Sequence, residues 1–169
     1  MKAWKHHDMR TEAYLSDDRA FRYWLLRYWN EALPLMALIG SNPSKADEKK
    51  NDPTIRKEIG FAERLGFGGI LKINVGAFRA TDPKDWKAAR DPFGPENSVE
   101  HLQGYLIKFA PSIVVAAWGR PCLTSERGRH RAEAIKNNIL GMQCWGRNAD
   151  GSPHHPLMLA YSTKLEPFN

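Results

Sequence analysis

Three short apolar runs, residues 33–40 (LPLMALIG), 68–78 (GGILKINVGAF) and 112–119 (SIVVAAWG), alternate with stretches of helical periodicity, and this constrains the chain more than any other feature. Unbroken runs of this kind, lacking the polar alternation of a half-exposed strand, are the pattern of strands covered on both faces. Strands that alternate with helices form a mostly parallel sheet whose crossovers lay helices on both faces. The first helix begins at Asp52-Pro53, a side-chain cap followed by a first-turn proline, with Ile55, Ile59, Ala62 and Leu65 on one face and Gly66 as its stop. A second Asp-Pro pair, Asp82-Pro83, opens a short helix through Trp86 and Ala89. Residues from about 95 to 109 give a third helix, with Val99, Leu102, Leu106 and Phe109 inward; Arg127 to Leu140 give a fourth, carrying Ala132, Ile135 and Ile139. The run 19–29 (RAFRYWLLRYW) sets aromatics against arginines and suits a half-exposed strand as well as a helix, the strand being preferred, while residues 141–146 and 155–162 are short apolar segments. The expected fold is α/β: a three-layer sandwich with a small, mostly parallel sheet of about four central strands flanked by helices, extended at the N-terminus by a strand or hairpin.

The 169 residues, 42% of them hydrophobic, suffice for one well-cored domain, expected over 1–169 with its core at about 20–165. Thirteen Gly and eleven Pro are ordinary counts, which excludes collagen-like and wholly disordered chains. No run approaches the roughly 20 apolar residues of a membrane span, and the opening MKAWKHHDMR has no apolar signal-peptide core. A cytoplasmic monomer without a membrane partner is expected. Cys122 and Cys144 form no CxxC pair and are too few for a four-ligand zinc or four-thiolate iron–sulfur site, so no metal, no iron–sulfur cluster and no other cofactor is expected. Both cysteines read as reduced and structural. The formal net charge of +6 is compatible with a polyanionic partner, DNA or a nucleotide.

In an open parallel sheet, ligands bind beyond the carboxyl ends of the strands. The first run delivers Gly40-Ser41-Asn42-Pro43-Ser44-Lys45-Ala46-Asp47 there; the second delivers Asn74, with Phe78 and Arg79-Ala80-Thr81-Asp82 following; the third ends in Trp118-Gly119-Arg120; and the last turn gives His154-His155-Pro156. Four polar loops are thereby expected on one rim. Ordinary structural roles stand beside functional ones: Asn42 can close a turn by an Asx hydrogen bond, Asp52 and Asp82 can be caps and nothing else, and the aromatics of residues 19–29 can be core. Asn74 is harder to explain structurally, since an amide inside an apolar strand must find partners.

The blocks NPSKAD, NDPTIRK, INVGAFRATDP, PENS, AAWG and HPLML, in that order over roughly residues 20 to 165, resemble the bacterial and phage family catalogued as domain of unknown function 1643. More distantly, G-S-N-P after the first strand is similar to the G-x-[DN]-P motif of uracil-DNA glycosylases. L-K-I-N resembles their strand ending in a base-reading Asn, and H-P-L resembles their H-P-S loop. That second resemblance implies a uracil-DNA-glycosylase-like sandwich and hydrolysis of the N-glycosidic bond of a modified or damaged base in DNA. Asn42 would position the attacking water, Asn74 would hydrogen-bond the base edge, and His155 would stabilise charge on the departing base. Two departures weaken the match. Asn42 stands where the most active branch has Asp and cannot serve as a general base. Leu157 stands where Ser is usual, leaving Leu157 or Met158 as a wedge.

Breaking the N-glycosidic bond develops positive charge on the sugar and negative charge on the base, so a donor is needed at the base and a carboxylate or oriented water at the sugar. Asp47 or Asp52 would supply the carboxylate. Ser41, Phe78 and Trp118 are candidates for holding the base, and Ser44, Lys45, Arg79, Arg120, Arg127, Arg129, Arg131 and His154 for contacting phosphates around a flipped nucleotide. A non-catalytic base- or nucleotide-binding module and an enzyme acting on free nucleotides or nucleosides are the alternatives.

Overall fold

A computed structural model describes residues 9–168, apart from the side chain of Cys122. Seven strands form one mixed sheet: β1 (Arg10–Leu15), β2 (Arg22–Tyr28), β3 (Leu35–Gly40), β4 (Gly69–Asn74), β5 (Ile113–Ala116), β6 (Gln143–Cys144) and β7 (Glu166–Pro167), in the spatial order β1-β2-β4-β3-β5-β6-β7. The helices are α1 (Pro53–Arg64), α2 (Pro83–Ala88), α3 (Val99–Phe109) and α4 (Glu126–Asn138). Strand β3 pairs in parallel with β4 and β5, and β5 with β6; β1 on β2, β2 on β4 and β7 on β6 are antiparallel.

This overturns the expectation of a small, mostly parallel, uracil-DNA-glycosylase-like sheet of about four strands. The added strands have identifiable reasons. β2 is buried at six of its seven positions rather than half-exposed, because its arginines donate to main-chain carbonyls of the loop after β3 instead of reaching solvent. β2 pairs with β4 on one side, which leaves its other side for β1 to add at the edge. β7 is two residues long, too short for any periodicity to mark it.

Each face of the sheet carries its own core. On one face Leu71 and Ile73 of β4 and Ile39 of β3 pack with Trp86 of α2, Leu102 of α3 and Ala132 and Ile135 of α4. On the other, Ile70 and Leu38 pack with Ile55, Ile59, Phe61 and Ala62 of α1. Side chains alternate between faces along a strand, so Lys72 and Asn74 follow Ile70 toward the α1 face. The helix starts are set by side-chain caps: Asp52 accepts from Ile55 N at 2.9 Å, Asp82 from Lys84 N at 2.8 Å, Ser98 from His101 N at 3.3 Å, and Ser125 from Gly128 N at 3.1 Å. The Ser98 cap starts α3 at Val99 rather than near 95. Leu65, expected on the inward face of α1, is the C-cap and is 44% exposed. Residues 156–158 form a single 3-10 turn that leaves Met158 exposed. No helix among the described residues is long and apolar enough to cross a membrane.

Candidate functional site

Where β3 and β4 end on the α1 face, the loops that follow them enclose a cavity of about 210 Å³. Its floor follows from the parallel register, in which Gly40 lies opposite Asn74 and Leu38 opposite Lys72. A Cβ on Gly40 would sit 2.5 Å from Lys72 Nζ and 2.8 Å from Asn74 Oδ1, so only a residue without a side chain lets these two polar heads reach the cavity. Beneath them Lys72 is ion-paired with Glu58 of α1, and both are almost completely buried. Burial pushes the Glu58 carboxyl upward and the Lys72 charge opposes the shift.

Asn74 is 1% exposed, and neither its Oδ1 nor its Nδ2 has a hydrogen-bond partner among the described residues. The backbone around it is well held: the Asn97 carboxamide donates to Asn74 O at 3.3 Å and Val75 O at 3.0 Å, and Arg131 in turn donates to Asn97 O. The strand end is thus braced while the amide head is left to the cavity. Orphaned buried amides are rare, because each costs the desolvation of its donor and acceptor.

Asn42, also on the lining, donates through Nδ2 to Pro43 O at 3.1 Å and Ala80 O at 2.8 Å, which leaves its Oδ1 as an acceptor. His155 reaches the cavity across Gly119, whose φ of 62° and lack of a side chain accommodate the His155 Cβ. Its Nδ1 accepts from Leu157 N at 3.3 Å, so the neutral ring carries its proton on Nε2. Burial, reinforced by the Lys72 charge, pushes the His155 pKa down to about 4. The ring is therefore a neutral donor at physiological pH.

The structure brings together Ser41, Asn42, Ser44, Asn74 and His155 of the expected set, all on one cavity. Ser44 Oγ donates to Thr81 Oγ1 at 3.4 Å, and Ser41 Oγ has no partner. Asp47 is not on the lining: its Oδ1 accepts from Lys49 N and Lys50 N, both at 2.9 Å, and Arg19 lies 3.5 Å from its other oxygen. Asp52 is on the lining, although its Oδ1 is used to cap α1. Phe78, Lys45 and Arg79 line an adjoining depression, where Arg79 donates to the carbonyls of Arg19, Ser44 and Lys45. Arg120 and His154 border another depression, which shares His155; Arg120 lies 3.5 Å from Asp150 and His154 Nδ1 is 3.0 Å from Trp145 O.

Trp118 is not on this cavity: it is 2% exposed, edge-on to Phe168 at 5.4 Å, and borders a separate depression with Arg129. Arg127 donates to the carbonyls of Lys87, Ala89 and Arg90 at the end of α2, Arg129 to Leu123 O, and Arg131 lies over the Phe93 ring. Cys144 is buried and unpaired. Among the described residues no group of three His, Cys, Asp or Glu side chains is placed to hold a metal ion.

Sequence reasoning passed over Arg22, Lys72, Glu58 and Thr54. A signal for Lys72 was present: a lysine within an apolar run, two residues before Asn74 and hence on its face. Glu58 sits on the apolar stripe of α1 between Ile55 and Ile59, where a carboxylate needs a buried cation opposite it.

Among solved structures the chain is similar to an alpha/beta hydrolase from Novosphingobium aromaticivorans DSM 12444, at 15% identity and a TM-score of 0.31. The match covers 82% of this chain and 53% of that one, so the chain spans about half that protein's length, and a likeness so distant carries neither fold nor function. No curated protein matched the chain. The family described as "Protein of unknown function (DUF1643)" matches residues 22–157, taking in β2, the loops that build the cavity and His155. The chain belongs to the DUF1643 family.

Proposed function

We propose that the cavity receives a nucleobase and hydrolyses its N-glycosidic bond, with a modified or damaged base in DNA as the substrate. The observation that carries this is the Asn74 carboxamide, a buried donor and acceptor side by side without partners, on the same lining as a His155 ring held neutral. A carboxamide of this kind matches the adjacent C=O and N–H of an oxo-bearing base edge. The volume, about 210 Å³, is below the roughly 300–1,000 Å³ of drug-sized ligand pockets and suits a single base.

In the reaction the sugar C1′–N bond breaks and its electron pair leaves with the base. His155 Nε2–H donates toward the base oxygen on which negative charge develops. Asn42 Oδ1 accepts a hydrogen bond from water and aims its lone pair at the sugar carbon, and the water proton passes to solvent or to the departing base. Asp52 is the carboxylate on the lining that can offset the positive charge on the sugar.

A non-catalytic base-binding module is the second reading, favoured by Asn42: an amide cannot accept the water proton, and the Asp47 carboxylate is turned away into its own loop. Incubation with oligonucleotides carrying uracil, hypoxanthine or oxidised bases, followed by alkaline cleavage and mass analysis, separates the two. Hydrolysis yields abasic product, with Asn74→Ala and His155→Ala each lowering its rate about 10²-fold or more. Retention of DNA without product supports the binder; neither product nor retention overturns both.

A further inference from the structure

Asn74, Asn42 and His155 serve a base and a water, and on the β2 side of the same cavity stands a cation that this chemistry does not use. Arg22 lines the cavity and is 1% exposed. One of its terminal nitrogens donates to Ala46 O at 2.7 Å, its Nε–H has no acceptor, and it forms no ion pair among the described residues. Burial lowers its pKa to about 10, which leaves it charged at neutral pH. A buried charge is ordinarily paired. Lys72, the other cation of the lining, obeys that rule through Glu58, whereas Asp52 acts on Arg22 only at longer range.

The Ser41 hydroxyl, on a residue 8% exposed, lines the same cavity, also without a partner among the described residues. The first turn of the twelve-residue α1 brings Thr54 to the same lining, where the helix N-terminus is already capped by Asp52. A guanidinium Nε–H and a hydroxyl on one lining, both without partners among the described residues, are groups that bind an oxyanion.

We propose that Arg22 and Ser41 form an oxyanion subsite within the cavity, which receives a carboxylate or phosphate oxygen carried by the ligand. The placement of the ligand's ring beside this subsite rests on the base-binding reading of Asn74 and His155. An oxyanion reaches the subsite from one of two sources: an acidic substituent on the base itself, or the phosphate of a mononucleotide.

Calorimetric titration of the full chain with uracil, 5-carboxyuracil, uridine 5′-monophosphate and inorganic phosphate separates these cases. The expected result is that 5-carboxyuracil or uridine monophosphate binds about tenfold or more tightly than uracil, the tighter of the two naming the source. Ser41→Ala, whose hydroxyl makes no hydrogen bond among the described residues, and Arg22→Gln each bring the ratio of anionic to neutral affinity close to one, and Arg22→Lys restores part of it. Equal wild-type affinity for uracil and both anions overturns the subsite and leaves base binding standing, and so does an unchanged ratio in Ser41→Ala and Arg22→Gln. Binding of phosphate without measurable binding of any base supports the subsite and overturns the base reading. Binding of none of the four overturns both.

Discussion

Arg27 and Arg22 leave the same strand, are both buried, and live in opposite circumstances. Arg27 clamps the loop after β3: its Nε donates to Asn51 Oδ1 at 2.7 Å, and its terminal nitrogens reach the carbonyls of Leu26, Asp47 and Lys50. Arg22 lines the cavity and makes one such bond, to Ala46 O, while its buried Nε has no acceptor among the described residues. A buried cation saturated by the protein is architecture. One left short of acceptors, on the same cavity lining as Asn74 and Ser41 in the same state, is the observation on which the oxyanion subsite is proposed.

If that contrast is right, the two regions respond differently to substitution. The largest effect belongs to the ion pair under the cavity floor: Glu58→Leu leaves the Lys72 charge buried and uncompensated and is expected to cost about 3–5 kcal/mol in urea denaturation, while Glu58→Leu with Lys72→Met recovers most of it. A double variant as unstable as the single one would show that the pair itself, not the orphaned charge, stabilises the floor.

Next, Arg27→Met strands several carbonyls at once and should cost about 2–4 kcal/mol, against about 1 kcal/mol for Arg22→Met. Equal costs would erase the distinction between clamp and cavity.

The third effect is pH-dependent. His155 titrates near 6.5 when unfolded and at about 4 in the fold, so below 6.5 the unfolded chain binds the proton that the folded chain refuses. Stability therefore falls as pH drops from 6.5 to 4, by on the order of 2 kcal/mol, and is unaffected by this group above 6.5. His155→Gln should flatten that limb of the stability curve; an unchanged limb would assign it to other groups. The smallest effect is that of Ser41→Ala, whose hydroxyl has no partner among the described residues: stability should stay within about 0.5 kcal/mol of the wild type, and a larger loss would reveal an internal partner.

Much of this was legible in the sequence because it is local. The runs that become β3, β4 and β5 announce themselves by continuous apolar character, and Asp52, Asp82 and Ser98 fix their helix starts through hydrogen bonds that span two or three residues. Polar residues at strand ends led to Asn42, Asn74 and His155, which share the cavity. What was not legible depends on partners distant in the chain. The burial of Arg22 and Arg27 needs the carbonyls of a loop about twenty residues away, the Lys72–Glu58 pair needs the packing of α1 on β4, and β7 needs β6 to pair with. The same non-local bonding holds two arginines of α4: Arg127 and Arg131 find main-chain acceptors at Lys87, Ala89, Arg90 and Asn97, which no local pattern marks.

The central claim, that the cavity offers Asn74 and His155 to a base edge, is tested most directly by nuclear magnetic resonance of the nitrogen-15-labelled protein titrated with free uracil and free hypoxanthine. The account predicts that the Asn74 side-chain NH₂ pair and the His155 ring N–H shift together and saturate, with no matching response in Asn74→Ala. Resonances of both groups that stay fixed through a large excess of either base would contradict it.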